Sequence, residues 1–376
     1  MNNLDAENQG AWHAPLQTYN FPLVDVIVVL WHSRPYLSDL FDGLERLDYP
    51  REKWALHIVD NSPGDGSLAE ARRLATERGG RLPEVIFHEP GSNTGFAGGN
   101  NLAIRKAMER NRDYVYLLNH DAAFEPAALK EAVAVAEADK NIGSVQSLLV
   151  LMQSPEEVNS SGNAIQFLGF GYCAGYHEKR ESIPLESSRI AYASGAGVLY
   201  PLRVLKEVGL FDETLFAYHE DLDLGWRLLI AGYRNLLAPK SVVRHKYEFS
   251  RSISKWYWME RNRLVVVYKN YRLPTIILLL PILIATEFAI LAFAISGGWW
   301  KEKLRAMVWF FRPSSWIYIV RARQKVSRSR KIPDSIVLSN FTPFIAYQEF
   351  EKDIVKRFAN PFWALTYRLL LMMVKW

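Results

Sequence analysis

Three carboxylates fall within four positions in the stretch Phe216-Ala217-Tyr218-His219-Glu220-Asp221-Leu222-Asp223-Leu224-Gly225-Trp226-Arg227. Leu222, Trp226, Leu229 and Tyr233 then repeat at the spacing of one helix face. That register places Glu220 and Asp221 in a first turn, where the helix dipole and the free amides favour negative charge. A carboxylate held this way stays ionised at neutral pH and can take a proton from an incoming hydroxyl. The same residues also read as an acidic helix cap, with Asp223 and Arg227 as an ordinary surface pair. Four more polar clusters could act with this one: His32, Asp60-Asn61, the run Asn93-Thr94-Gly95-Phe96-Ala97-Gly98-Gly99-Asn100-Asn101, and Asn119-His120-Asp121.

What would position them is an alternation of strands and helices. Residues 24–30 form a branched apolar run interrupted only by Asp25, the mark of a strand buried on both faces. Leu37, Leu40, Phe41, Leu44 and Leu47 follow at helical spacing. Strands are predicted at 54–59, 84–88 and 114–118, with helices at 67–78 and after the glycine-rich loop 93–101. Such alternation implies an α/β fold with a parallel, helix-covered sheet, and in these sheets ligands bind beyond the carboxyl ends of the strands. All four polar clusters lie just past strand ends, so they converge on one edge, and a nucleotide-sized ligand is the natural occupant. The glycines follow the third strand and not the first, which argues against a nicotinamide or flavin enzyme. No Gly-Lys-Ser/Thr closes a glycine-rich loop, so there is no P-loop. Asp60-Asn61 also reads as a plain turn, the glycine run as a tight connection, and Asp121 as a cap for a helix near Pro126.

Composition narrows the class. The chain has 376 residues, 49% of them hydrophobic and 13% aromatic, enough for a large core. The single cysteine, Cys173, excludes an internal disulfide framework and suits a reducing cytosol. The net charge is +5, with basic residues crowded around apolar runs in the C-terminal third. That distribution points to anionic lipid and away from nucleic acid. Residues 1–20 lack the basic-then-apolar order of a signal peptide, so the N-terminal part is expected in the cytosol.

Taken in order, residues 24–30, Val59-Asp60-Asn61-Ser62, the run 93–101, Leu117-Leu118-Asn119-His120-Asp121 and the 220–227 stretch resemble family 2 of the inverting glycosyltransferases. Within it they resemble the rhamnosyltransferase-like branch. The resemblance implies a GT-A fold, Rossmann-like, with a mostly parallel sheet covered by helices on both faces. It implies a nucleotide-sugar donor and Mg²⁺ or Mn²⁺, with Asp121 and His245 as metal ligands and Asp221 as the general base. The donor-binding set expected on this basis is His32, Asp60, Asn61, Asn93, Gly95, Gly98, Asn101, Asn119, His120, Glu220, Trp226 and Arg227. The metal motif reads Asn-His-Asp where the family has Asp-x-Asp and the branch usually has Asn-Pro-Asp. The Gln-x-x-Arg-Trp element of processive synthases is absent from the sequence, which favours transfer of a single sugar.

The chemistry fits that assignment. Breaking a sugar–phosphate bond leaves extra charge on the diphosphate, which a hard cation with oxygen ligands offsets. A base on the opposite side of the sugar then activates the acceptor hydroxyl.

The expected organisation is an N-terminal extension over 1–22, a catalytic domain over 23–250 and a helical C-terminal region over 251–376. Residues 255–272 are basic and aromatic, and residues 273–295 are long and apolar enough to span a bilayer. Pro281 and Glu287 interrupt that run, and both flanks are basic, so a bent or re-entrant segment is expected. Ser296-Gly297-Gly298-Trp299-Trp300 reads as an interfacial break, residues 321–331 as a polybasic run suited to lipid phosphates, and 362–376 as a second interfacial helix. An all-helical soluble domain or an oligomer interface is the other reading of this region. The leading expectation is a single-sugar transferase at the cytoplasmic face of the plasma membrane, using dTDP-rhamnose or a UDP-sugar and a lipid-linked glycan acceptor in cell-surface polysaccharide assembly. The alternative is a non-catalytic nucleotide-sugar-binding or scaffold protein in a glycan-assembly complex.

Overall fold

The first half of the chain runs β1 (Val24–Leu30), α1 (Leu37–Glu45), β2 (Trp54–Asp60), α2 (Ser67–Arg78), β3 (Glu84–His88), α3 (Gly95–Glu109) and β4 (Tyr114–Leu118). The second part of the sheet region is β5 (Ala122–Phe124), α4 (Ala128–Glu137), β6 (Ile142–Leu151), β7 (Ser154–Ser160), β8 (Asn163–Ile165), β9 (Gly171–Cys173), β10 (Ser188–Ile190), β11 (Gly197–Pro201), α5 (Leu202–Val208), α6 (Glu220–Ile230) and β12 (Arg234–His245). Six helices complete it: α7 (Ser254–Asn270), α8 (Leu273–Ser296), α9 (Trp300–Trp309), α10 (Pro313–Ser329), α11 (Asp334–Leu338) and α12 (Asn360–Met373). The computed structural model describes residues 21–247, 254–344 and 360–376, so nearly all of the expected N-terminal extension lies outside the described residues.

The strands of the main sheet lie in the order β10-β12-β6-β11-β4-β1-β2-β3, with β5 on β12 and β7 on β6. β3, β2, β1 and β4 are parallel neighbours. β11 runs antiparallel between β4 and β6, and β10 runs antiparallel on β12. The mostly parallel sheet is therefore as expected. Asp25 sits in the buried strand β1 against expectation for a charge, and it is held by His57 Nε2 at 2.8 Å and Arg112 Nε at 3.0 Å.

Chain order reverses between β1 and β4, and this switch point is where an open α/β sheet leaves a crevice. Helices cover both faces: α1, α2 and α4 pack on one side, and α3, α5 and α6 on the other. A further core joins the two parts of the chain. Phe167, Leu222, Trp226 and Ile230 pack in one cluster with Val265, Tyr271, Leu279, Val326, Leu338 and Leu370.

The long apolar helix contains both of its expected interruptions. α8 continues through Pro281 as one helix of 24 residues. Glu287 does not face outward, because it pairs with Arg263 and, at 2.6 Å, with Lys303, in a buried cluster that also holds Glu260. Two acids and two bases balance there, which is what makes burial tolerable. The opposite face of α8 is bare: Leu273, Ile277, Leu280, Ile284, Phe288 and Ile295 are exposed, Phe288 at 69%. By length and composition α8 is one helix able to cross a membrane, and most of its apolar window is unburied. The predicted break after it is present, since α9 starts at Trp300.

The polybasic run is only partly available to lipid. Arg323 donates to the carbonyls of Tyr268 and Tyr271, Arg330 to Asn270 and Asp334, and Lys331 pairs with Glu207. Arg323 and Arg330 thus satisfy the carbonyls at the α7 C-terminus, a favourable place for cations.

Candidate active site

A cavity of about 630 Å³ opens at the carboxyl ends of β1 and β4, lined among others by Val29, Trp31, Asn61, Asn93, Gly95, Asn119 and His120. Its other wall carries Tyr192, Gly195, Phe216–Asp221 and, from α7, Lys255, Trp258 and Met259.

Asn61 organises the donor side. Its Nδ2 donates to Asn93 Oδ1 and the Gly95 carbonyl, both at 3.0 Å, and its Oδ1 accepts from the Thr94 amide at 2.8 Å. This fixes the start of α3, a 15-residue helix whose N-terminus meets the cavity. That end turns the positive pole of its dipole towards the cavity, while the Gly95 and Ala97 amides are taken by Asn93 Oδ1 at 2.8 Å and the Phe216 carbonyl at 3.3 Å. The glycine run is thus the opening of a helix and not a loop. A Cβ on Gly99 would lie 2.9 Å from Val29 of β1, and one on Gly95, at φ +72°, would lie 2.5 Å from the Phe216 carbonyl oxygen. Glycine here permits close approach of helix, strand and the 216–219 loop.

Asp221 occupies the first turn of α6, as expected. Its Oδ1 accepts from the Leu222 amide at 2.7 Å and its Oδ2 from the Gly195 amide at 3.4 Å. Burial nevertheless wins over these bonds, and the carboxyl is pushed up to about 6. At neutral pH the group is still mostly ionised, as the sequence leads one to expect, but it is more basic than an ordinary aspartate. Glu220 is raised well above its ordinary value by burial and then by Asp221, and its Oε2 is buried without a hydrogen bond. The two carboxyls are thus held side by side in a buried turn, both raised chiefly by desolvation. Phe216, Tyr218 and His219, ahead of these two, all have positive φ (63°, 66° and 68°). Each such non-glycine residue costs about 1–3 kcal/mol, so the surroundings must impose the conformation.

Asp121 and His245 meet at the end of β4 and β12. Asp121 Oδ1 lies 3.3 Å from His245 Nε2, and the Asn119 amide is 3.4 Å from the same nitrogen. His245 Nδ1 faces Asn159 Oδ1 at 2.9 Å, which assigns the proton to Nδ1 and turns a lone pair on Nε2 towards Asp121. Asp121 Oδ1 is buried with no hydrogen bond. A carboxylate oxygen and an imidazole lone pair facing each other fit a divalent cation. Among the described residues no third His, Cys, Asp or Glu joins them. The remaining positions would fall to diphosphate and water.

Other expected residues sit elsewhere. The His32 side chain is 66% exposed beside Asp65, and Trp31 takes its place at the cavity. Asp60 is buried under the rim, its carboxyl raised chiefly by desolvation. Gly98 packs against Thr94, and Asn101 binds the Phe211 carbonyl and Glu213, so both support the site from behind. Trp226 and Arg227 are not donor-binding: an α6 residue one or two turns on points into the core. Trp226 packs edge-on against Tyr271 and Phe341. Arg227 holds Asp223 at 2.8 Å and the carbonyls of Val208, Gly209 and Leu210. The supposed surface pair is buried, and Lys269 also reaches Asp223 at 2.8 Å. Sequence reasoning missed Tyr192, Gly195 and the α7 wall. The run Ala193-Ser194-Gly195-Ala196-Gly197 was a usable signal, since a Cβ on Gly195 would strike Phe96 at 2.5 Å.

The family described as Glycosyltransferase like family 2 matches residues 22–266. The low-salt glycan biosynthesis hexosyltransferase Agl10 of Haloferax volcanii is 24% identical over 207 residues, 54% of this chain and 61% of its own length. The chain thus spans less than two thirds of that relative. The N-acetylglucosaminyl-diphospho-decaprenol L-rhamnosyltransferase of Mycobacterium tuberculosis is 25% identical over 247 residues, 59% of this chain and 76% of its own length. Among solved structures, GalNAc-T7 with UDP, GalNAc and Mn²⁺ superposes with a TM-score of 0.52 at 15% identity, over 67% of this chain and 48% of that one. That likeness shows the shared fold.

Proposed function

The chain belongs to glycosyltransferase-like family 2, and from that premise we propose that it transfers one sugar, with inversion, from a nucleotide-sugar to a lipid-linked glycan acceptor in cell-surface polysaccharide assembly. The observation that carries this reading is a single cavity with the positive end of a helix and Asn119 on one wall and the buried carboxyl of Asp221 on the other. The α3 N-terminus, held in place by Asn61, faces the diphosphate end of the donor with its positive dipole. Asp121 and His245 would hold Mn²⁺ or Mg²⁺, which when bound offsets charge on the departing nucleoside diphosphate. Asp221 accepts the proton of the acceptor hydroxyl, which approaches from the face opposite the leaving group.

The favoured donor is dTDP-rhamnose, with UDP-sugars next. Support for it is the residue resemblance and the rhamnosyltransferase relative. Support for a lipid-carried acceptor is that relative's decaprenol substrate, together with the bare apolar faces of α8 and α12 on the region that also walls the cavity. The protein would sit against the cytoplasmic face of the plasma membrane. The test is nucleoside diphosphate release from a panel of nucleotide-sugars with a polyprenyl-diphosphate-linked acceptor. Release that requires Mn²⁺ or Mg²⁺ and stops with EDTA is expected. Binding of donor with no release under any of these conditions would favour the non-catalytic scaffold instead.

A further inference from the structure

Four residues lead into Asp221, and three of them, Phe216, Tyr218 and His219, hold left-handed backbone angles without being glycine. Their side chains give no local reason for that conformation. One side of the loop is fixed by the close approach of Gly95 to the Phe216 carbonyl, which also accepts from the Ala97 amide at 3.3 Å. The other side is held from α7, where Trp258 stacks on Phe216 at 4.8 Å and one further side chain supplies three bonds to the loop's carbonyls. Asn262 is fully buried, and its Nδ2 donates to the carbonyls of Leu215 at 2.8 Å, Ala217 at 2.9 Å and Tyr218 at 2.6 Å. Its Oδ1 accepts from Arg261 Nε at 2.9 Å and Nη2 at 2.6 Å, and that guanidinium itself reaches the Thr214 carbonyl at 2.5 Å. The amide is therefore locked in orientation, with its donors aimed at the loop.

We infer that Asn262 is a positioning residue for the transfer step: it clamps the 215–218 loop in the strained form that sets Asp221 and the acceptor wall against the donor helix. Phe216, Ala217 and Tyr218 line the cavity themselves. A loop that relaxes to ordinary backbone angles therefore moves both the wall and the turn that carries the base. Displacement of about 1 Å at reacting groups costs on the order of 100-fold in rate. The α7 helix does not depend on Asn262 for its place. Val265, Val266 and Tyr271 pack it into the shared core, and Glu260 and Arg263 tie it to α8 and α9. The clamp is a separate device on a helix already anchored.

The inference rests on Asp221 as the base, and its test is chosen to separate the two. Full-length protein with Asn262→Ala, and with Asn262→Ser as a partial rescue that keeps one donor, is compared with wild type and with Asp221→Asn. Hydrogen exchange without ligand reads the loop, binding of UDP and dTDP reads the donor side, and turnover with dTDP-rhamnose or the UDP-sugar selected by screening reads the chemistry. In Asn262→Ala, amides of 216–219 should exchange faster while those of β4 and β12 do not. In the same variant kcat per folded molecule should fall about 10- to 100-fold, with nucleoside diphosphate Kd and donor KM within about threefold, and Asn262→Ser should fall between. Unchanged exchange in the loop, or a kcat per folded molecule equal to wild type, overturns the clamp. Wild-type turnover in Asp221→Asn overturns the base assignment instead and leaves the exchange result standing.

Discussion

Asp221 holds its proton up to about pH 6, against 3.8 for an ordinary aspartate, because burial outweighs its two backbone hydrogen bonds. Among its neighbours, burial lifts the thiol of Cys173 on β9 to about 12, lifts Tyr200 on β11 beyond the working range, and raises Glu220 well above its ordinary value. A base must be ionised to act, so about a tenth of the enzyme is competent at pH 5 and about nine tenths at pH 7. The acid limb of kcat/KM should therefore fall about tenfold per pH unit below about 6. The same rise affects stability. The native state binds this proton more tightly than the unfolded chain, so the contribution is full below about pH 4 and lost as pH climbs through about 6. Its size is about 3 kcal/mol. Asp221→Asn removes the ionisation while keeping an oxygen for the Leu222 amide. Its Tm relative to wild type should accordingly rise between pH 4.5 and pH 8, while turnover drops about 100- to 10,000-fold. The assays are a kcat/KM profile from pH 4.5 to 8.5 and thermal unfolding of both proteins at the two pH extremes. An acid limb centred below pH 4.5, or a variant with more than a tenth of wild-type turnover, would refute the reasoning.

Asp121→Ala should abolish metal-dependent nucleoside diphosphate binding, and His245→Ala should weaken it less, because a hard cation depends most on its carboxylate; equal calorimetric affinities with and without EDTA in wild type would defeat the assignment. Full-length protein should pellet with anionic vesicles and stay bound at high salt, since burial of Ile277, Ile284 and Phe288 is not screened. Release by salt alone would make the attachment electrostatic. Charged substitutions at Ile277 and Phe288 together should release it, without loss of nucleoside diphosphate binding.

What the sequence made legible was whatever local spacing encodes. β1 to β4 and the first turn of α6 follow from apolar runs and turn residues, and the strand exits collect the site because parallel topology leaves them no alternative. Asp121 and His245, 124 positions apart in the chain, came together only through the resemblance, and the structure sets them 3.3 Å apart. The misplacements share a cause. Trp226 and Arg227 sit in the motif but one or two turns along the helix, where rotation carries them into the core. Glu287 reads as a misplaced charge until Arg263 and Lys303, from two other helices, are seen to meet it. The positive φ values of Phe216, Tyr218 and His219 leave no mark in residue type, because what meets this loop, Gly95 on α3 and Trp258 and Asn262 on α7, is distant in the chain.

The core that Trp226 shares with Tyr271, Leu279 and Leu370 bears on how such a protein can change over time. A catalytic unit joined to its appendage by a tether can trade that appendage for another. Here the helix bearing Asp221 buries its far face against α7, α8 and α12, so a chimera spliced near residue 250 would expose Leu222, Trp226 and Ile230 to water. Any replacement for these helices would have to bring an apolar surface that fits the one α6 presents.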